Sequence, residues 1–113
     1  MCIRDRYNSK LNNISNCKFI NGDVKDVIAN PIKGYENPDI IIVDPPRNGL
    51  EKSVLKSIIK ISPNKIVYVS CNSSTQARDV YELKEFYKLK TTQAIDMFPQ
   101  TYHVENVVLL EKI

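Results

Sequence analysis

The chain has 113 residues, which is enough for one small domain with a single hydrophobic core. Its net charge of +3 permits a nucleic-acid partner but is too small to indicate one. The three cysteines include no CxxC pair, which argues against a disulfide framework or a metal site and favours a cytoplasmic protein. The longest apolar run, Ile40–Val43, is too short to cross a membrane.

The first six residues, MCIRDR, are expected to be foreign to the protein. Their back-translation resembles the end of a transposon adapter used in sequencing libraries, and added segments of this kind do not inform the fold. The alternative is a genuine short N-terminus. We therefore expect residues 1–6 to be non-native and residues 7–113 to carry the fold.

Five strands and two helices are predicted after this segment. In chain order they are strands at Cys17–Asp23 and within Pro38–Gly49, a helix at Glu51–Ile61, a strand at Lys65–Cys71, a helix at Ser74–Phe86, and strands at Tyr87–Phe98 and Val104–Ile113. The unbroken apolar run Ile40–Val43 is typical of a strand that is buried on both faces. Ser74 or Thr75 is the expected N-cap of the second helix.

The alternation of strands and helices predicts an α/β protein with a mainly parallel, helix-covered sheet. Such sheets bind ligands beyond the carboxyl ends of their strands. The triplet Asn21-Gly22-Asp23, the turn Asp44–Arg47 and the triplet Ser70-Cys71-Asn72 all lie at the carboxyl ends of predicted strands. We expect them to line one rim of the sheet.

Three features could carry chemistry, although each has an ordinary structural interpretation. Asp44 precedes two prolines, which make a rigid turn or simply end a strand. Cys71 precedes a predicted helix, whose first amides favour a thiolate, but a lone cysteine is more often buried and inert. His103 and Glu105 share a face of an extended strand, yet each alone is typical of a surface position.

Together the motifs are far more specific. The segments DPPRNGL (44–50), YVSCNSSTQARD (68–79) and DMFPQTYHVENVVLL (96–110) closely resemble, in this order, the carboxy-terminal half of the RNA (uracil-5-)-methyltransferase family. The resemblance extends over roughly Cys17–Ile113. It implies the C-terminal part of a Rossmann-like methyltransferase domain, truncated at its N-terminus, whose last strand is antiparallel.

The resemblance also implies a cofactor, a substrate and residue roles. The cofactor is S-adenosyl-L-methionine and the partner is tRNA or ribosomal RNA, with no membrane and no obligate protein partner. Cys71 corresponds to the nucleophile that adds to C6 of uracil, and Glu105 to the base that removes the C5 proton. Asp23 and Asp44 correspond to cofactor contacts. His103 is expected to orient the substrate or the loop, without a proton-transfer role.

The chain departs from the family pattern in two respects. Ser73 stands where the family usually has proline, which could make the turn less rigid. The glycine-rich cofactor turn, the amino-terminal RNA-binding module and the cysteine cluster that binds iron–sulfur in some members are not found in the sequence. We therefore expect this chain to be inactive alone, with an apolar edge exposed at Ile40–Val43 and no strand neighbour for Cys17–Asp23.

Other functions remain open from the sequence. An adenine amino-methyltransferase also uses Asp-Pro-Pro, but an aromatic residue usually follows, and here Arg47 follows. A Cys-His hydrolase built on Cys71 and His103 would lack an oxyanion signature. An inactive fragment or an RNA-binding remnant is the non-enzymatic alternative.

Overall fold

The structure, a computed structural model, describes residues 2–30 and 33–113. Met1 of the predicted non-native segment lies outside these residues. The elements are α1 (Cys2–Leu11), α2 (Val24–Ala29), β1 (Ile40–Val43), α3 (Lys52–Ile61), β2 (Lys65–Ser70), α4 (Ser73–Leu83), β3 (Tyr87–Ile95) and β4 (Glu105–Lys112). Within the described ranges, no helix has the length and apolar character needed to cross a membrane.

The four strands form one sheet in the order β1-β2-β4-β3. β1 and β2 are parallel, whereas β4 is antiparallel to both β2 and β3. Three strands therefore run in one direction and the last runs in the other. This arrangement confirms the predicted α/β fold class with an antiparallel last strand.

The core lies on one face of this sheet, under α3 and α4. Its buried members come from both helices and from three strands: Val54, Leu55, Ile58, Ile66, Tyr68, Leu83, Tyr87, Val108 and Leu110. Alternate residues of β2 and β4 supply Ile66, Tyr68, Val108 and Leu110, as the period of two in a strand requires. The expectation of a sheet covered by helices holds for this face.

The opposite face of β1 is open, so the prediction that this strand is buried on both faces is wrong. Ile41 and Val43 are half-buried on the core side, but Ile40 and Ile42 keep 52% and 70% of their surface exposed. Among the strands of the described ranges, β1 pairs with β2 alone, on one side. Its other edge therefore presents backbone groups and apolar side chains together, as the resemblance led us to expect.

The predicted strand at Cys17–Asp23 does not form. Instead the segment runs beside α1, where the Cys2 Sγ lies 3.7 Å from the Ile20 carbonyl oxygen and Arg6 Nη2 donates to the Phe19 carbonyl at 3.3 Å. A strand needs a neighbouring strand to bind its backbone groups, and the described strands supply none here. The helices α1 and α2 were not predicted, although Asp23 is an N-cap residue and signals the start of α2.

Substitutions at two neighbouring residues of β1 allow the effects of edge exposure and of core packing to be measured separately. Replacing Ile42 by Lys should reduce self-association and change the free energy of unfolding by no more than about 0.5 kcal/mol, because the side chain is already in solvent. Ile41→Lys is the control and should cost about 2 kcal/mol or more, because a charge would enter the core side. Light scattering and urea unfolding measure the two effects. Equal destabilisation by both changes would contradict the assignment of faces.

Candidate functional site at the carboxyl rim of the sheet

Three strands, β1, β2 and β4, meet at one rim of the sheet with motif residues at or beside their ends. β1 ends just before Asp44, β2 ends just before Cys71, and the antiparallel β4 begins at Glu105. In the β2–β4 ladder Ser70 is paired with Asn106. Cys71 lies one residue beyond the end of β2, and continuing the same register by one residue implies that it is opposite Glu105. Residues opposed in an antiparallel pair have Cα atoms about 4.5–5.5 Å apart.

The three candidate residues on this rim also share a face. Val69 and Val107 are paired on the face away from α3 and α4. Alternation of side chains gives Glu105 the same face and, continued one residue beyond β2, implies that face for Cys71. Asp44 lies two residues after Ile42, which is on that open face. The chemistry-bearing side chains are therefore on the opposite side of the sheet from the core.

A cleft of about 420 Å³ opens beside the cysteine. It is lined by Arg47, Cys71, Asn72, Ser73, Tyr102, His103 and Val104. Glu105 and Asp44 lie on the same rim but are not among the lining residues. Cys71 thus faces a polar, partly open space between the turn after β1 and the loop before β4.

Arg47 and His103 join the two sides of this cleft. Arg47 Nη2 lies 3.1 Å from His103 Nε2. A guanidinium can only donate, so Nε2 accepts the bond and a neutral imidazole carries its proton on Nδ1. The Tyr102 ring lies 4.2 Å from the His103 ring, tilted by 38°. His103 therefore joins the loop before β4 to the Asp-Pro-Pro-Arg turn.

Asn72, rather than Ser74 or Thr75, caps α4. Its backbone is extended and its side chain accepts a hydrogen bond from the Ser74 amide at 3.1 Å, so the predicted N-cap is wrong by at least two residues. Asparagine is as good a cap as serine, and the pattern alone did not decide between them. Ser73 becomes the first helical residue, where an amide needs no partner and proline is equally accepted. The departure from the family pattern at Ser73 leaves the helix start intact.

The turn after β1 is bound to the start of α4. The Asn72 side-chain amide and the Thr75 hydroxyl both donate to the Arg47 carbonyl oxygen, at 3.1 and 2.8 Å. Prolines 45 and 46 leave the turn with few donors of its own, so its carbonyls accept from outside. Arg47 and Cys71 are consequently held by one cap.

A buried carboxylate that was not predicted from the sequence anchors the end of the same turn. Asp79 is fully buried and accepts from the Tyr68 hydroxyl at 2.6 Å, from the Leu50 amide at 2.8 Å and from Arg78 Nη2 at 2.7 Å. Gly49 has φ +77, and a Cβ there would lie 2.6 Å from Asp79 Oδ2. Burial, followed by the bond to Asp79, raises the pKa of Tyr68 well above its usual range.

A sequence signal for this carboxylate did exist. The buried side of α4 consists of Gln76, Asp79 and Leu83, at spacings of three and four residues. Two polar residues on the core side of an amphipathic helix require hydrogen-bond partners inside the protein. Gln76 is 2% exposed and reaches the carbonyl oxygens of Tyr68 and Asn106.

Asp23 does not lie at the end of a strand, contrary to expectation. It caps α2, accepting from the Lys25 amide at 3.1 Å and facing Lys25 Nζ at 3.8 Å. Its side chain keeps 54% of its surface exposed. Of the four predicted site residues, the rim therefore brings together Asp44, Cys71 and Glu105.

Comparisons with known proteins give the family of this chain. The sequence model of the tRNA (Uracil-5-)-methyltransferase family matches residues 6–113. A relative from Bacteroides thetaiotaomicron described as an uncharacterized RNA methyltransferase is 50% identical over 107 residues, which cover 94% of this chain and 24% of the relative. A Clostridium acetobutylicum relative with the same description is 51% identical, with 95% and 23% covered.

A solved structure agrees. The crystal structure of the Pyrococcus abyssi tRNA (uracil-54, C5)-methyltransferase in complex with S-adenosyl-L-homocysteine is similar with a TM-score of 0.82 and 40% identity, covering 96% of this chain and 26% of that chain. The chain belongs to the tRNA (uracil-5-)-methyltransferase family, which confirms the resemblance seen in its motifs. It spans about a quarter of the length of these relatives.

The Tyr68–Asp79 bond predicts a loss of stability in alkali. A raised folded-state pKa means that the fold favours the neutral phenol, so its stabilising effect is complete below about pH 10 and declines as the pH rises further. Tyr68→Phe should lower the free energy of unfolding at pH 7 by about 1.5–3 kcal/mol, the usual worth of a bond to a charged group. It should also reduce the decline above pH 10.

Urea unfolding at pH 7, 10 and 11 measures both effects. Tyr81→Phe is the matched control, because Tyr81 is 64% exposed. Burial also raises the pKa of Tyr87, so part of the alkaline decline should survive in Tyr68→Phe. An unchanged decline in that variant would contradict the role given to the Tyr68–Asp79 bond.

Proposed function

We propose that this chain is part of the catalytic domain of an enzyme that transfers a methyl group from S-adenosylmethionine to C5 of a uridine in tRNA or ribosomal RNA. The observation that supports the proposal is the β2–β4 register, because its continuation by one residue beyond Ser70 and Asn106 implies a thiol opposite a carboxylate at one rim. Family membership supplies the reaction class. A cytoplasmic location belongs to the same proposal.

The chemistry requires a thiol that reaches C6 of the uracil ring and a carboxylate that reaches the neighbouring C5. C5 of uracil is a poor nucleophile. When the Cys71 thiolate adds to C6, the C5–C6 double bond opens and its electrons form an enolate, which makes C5 nucleophilic. S-adenosylmethionine, when bound, supplies an electrophilic methyl group on a sulfonium. C5 forms a bond to that carbon as the sulfur–methyl bond breaks, leaving S-adenosylhomocysteine.

The second half of the reaction is assigned to Glu105. After methyl transfer C5 bears both a methyl group and a hydrogen. Glu105 takes this hydrogen as a proton, the electrons of the C5–H bond restore the C5–C6 double bond, and the C6–S bond breaks to release the thiolate. A carboxylate opposite the nucleophile, at about the width of the ring, suits this step. A base inside structured RNA must be flipped out to reach it.

Two carboxylates among the described residues are suited to contact polar groups of the cofactor. Asp44 is an exposed carboxylate on the same face and rim as Cys71, where it can bind a hydroxyl or an ammonium group. Asp23 is exposed but already engaged with Lys25. These two carboxylates are the cofactor contacts that we propose within this chain. Any iron–sulfur cluster or RNA-binding module would belong to parts of a longer protein.

The catalytic roles predict different fates for two variants. The test protein is a hybrid, in which this chain replaces the matching quarter of the Bacteroides thetaiotaomicron relative. Incubation with unmodified tRNA and ribosomal RNA transcripts should give methylated RNA. Cys71→Ala should abolish both methylation and the covalent protein–RNA adduct, whereas Glu105→Gln should accumulate the methylated adduct, because proton removal follows methyl transfer.

Denaturing gels and mass spectrometry of the adduct separate these outcomes. Cys17→Ala is the control, because Cys17 is exposed and lies outside the rim, and it should behave like the unmodified hybrid. Turnover by Cys71→Ala would refute the covalent mechanism. The unmodified relative, assayed alongside, confirms that the RNA substrate is competent.

The 113-residue chain alone should bind S-adenosylmethionine much more weakly than the hybrid does. It spans a quarter of its relatives' length, and its proposed contacts are limited to two exposed carboxylates, one of which is already paired. Isothermal calorimetry of the two proteins gives the comparison, with hydrogen exchange reporting on Cys17–Asp23. Micromolar binding by the chain alone, together with strong protection of that segment, would show that it is self-sufficient.

A further inference from the structure

Two side-chain amides lie directly behind the Cys71–Glu105 pair, on the core side of the sheet. Gln76 of α4 donates from Nε2 to the Tyr68 carbonyl at 2.9 Å and to the Asn106 carbonyl at 3.1 Å. Its Oε1 accepts from Asn106 Nδ2 at 2.6 Å. Because backbone carbonyls cannot donate, the orientation of the Gln76 amide is fixed by its partners.

The same glutamine is bound to the residue that follows the cysteine. Its backbone amide donates to the Asn72 carbonyl at 3.1 Å, which is the first hydrogen bond of α4. Asn72 follows Cys71, and Asn106 follows Glu105. A continuous path therefore joins the two proposed catalytic residues through one glutamine and two sets of hydrogen bonds.

Asn106 extends this path to the third strand. Its Oδ1 accepts from the Thr92 hydroxyl of β3 at 3.1 Å. The start of β4 is thus bound to β2, α4 and β3 immediately after Glu105. By contrast, the residues before Glu105 form a loop whose side chains Met97, Phe98 and Tyr102 are largely exposed. The amide cluster formed by Gln76 and Asn106 therefore anchors the start of β4 from the core side, in addition to the backbone pairing of Glu105 with Ile95.

We infer that Gln76 and Asn106 are positioning residues, which set the separation between the Cys71 thiol and the Glu105 carboxylate during proton removal from C5. The inference rests on the proposed function. Cys71 is also held by the cap of α4 and by the strand β2, whereas Glu105 depends on the first residue pairs of β4. Loss of the amide cluster should therefore disturb the Glu105 step more than the addition of the thiolate.

The kinetic consequence is specific. A misplacement of about 1 Å can slow a catalysed step on the order of 100-fold. Gln76→Met keeps a similar side-chain volume and removes the side-chain donor and acceptor, while the backbone bond to Asn72 remains. In this variant the adduct should form at close to the parental rate. Its resolution into methylated RNA should be about 10- to 100-fold slower, so the methylated adduct should accumulate.

The experiment uses the hybrid protein with S-adenosylmethionine and the RNA transcripts, and measures formation and resolution of the adduct separately by rapid quenching. Asp79→Asn is the matched control, because Asp79 is a buried polar residue one turn further along α4. It should lower the unfolding temperature without changing the ratio of the two rates. Asn106→Ser is the second variant and removes the hydrogen bond to Gln76 Oε1. It tests the inference independently if Gln76→Met does not fold.

The outcomes separate the two claims. Slower resolution with near-parental formation in either variant supports the inference. A parental ratio of the two rates in folded Gln76→Met and Asn106→Ser, or an equal slowing of both steps, would overturn it and leave the proposed function intact. Failure of the parental hybrid to form any Cys71-dependent adduct, with the unmodified relative active, would overturn the proposed function and the inference together.

Discussion

The antiparallel pairing of β2 with β4 is the constraint on which the site depends. If the neighbour of β2 were parallel, the carboxyl end of that neighbour would lie near Cys71. Because β4 is antiparallel, its first residue, Glu105, lies at this rim instead. A period of two then gives both residues the same face. A slip of one residue in this register would send Glu105 to the core side and bring Val104 or Asn106 to its place at the rim, so no carboxylate would oppose Cys71.

The two faces of the sheet have different roles: one packs against the core, and the other carries the proposed catalytic residues. On one face, α3 and α4 cover a continuous apolar core, and the polar side chains of Gln76 and Asp79 have hydrogen-bond partners. These two residues bind the structures behind the site: Asp79 holds the turn after β1, and Gln76 holds the start of β4. The opposite face carries Cys71 and stays open near β1, where Ile42 is exposed. A ligand can therefore approach the site without displacing the core.

The sequence predicted those elements whose signals are local. The apolar stripe of α3, the alternation in β4 and the three motifs identified the fold class and the family, because each depends on residues close in the chain. The strand at Cys17–Asp23 was predicted wrongly because a strand is stable only beside a partner, and pairing is not a local property. Gln76 and Asp79 were missed because their side-chain partners, apart from the adjacent Arg78, are 8 to 30 residues away, although their spacing on the buried side of α4 marked them.

Disulfide trapping tests the Cys71–Glu105 arrangement most directly. In the chain with Cys2 and Cys17 replaced by Ser, Glu105→Cys should form an intrachain bond with Cys71 on mild oxidation, because opposed Cα atoms about 4.5–5.5 Å apart lie within the bridging range. Val107→Cys, on the same face but diagonal to Cys71 at about 7–8 Å, should not. Mass spectrometry detects the bond as the loss of two hydrogens. Rapid bridging from position 107 and none from position 105 would contradict the register on which the site is built.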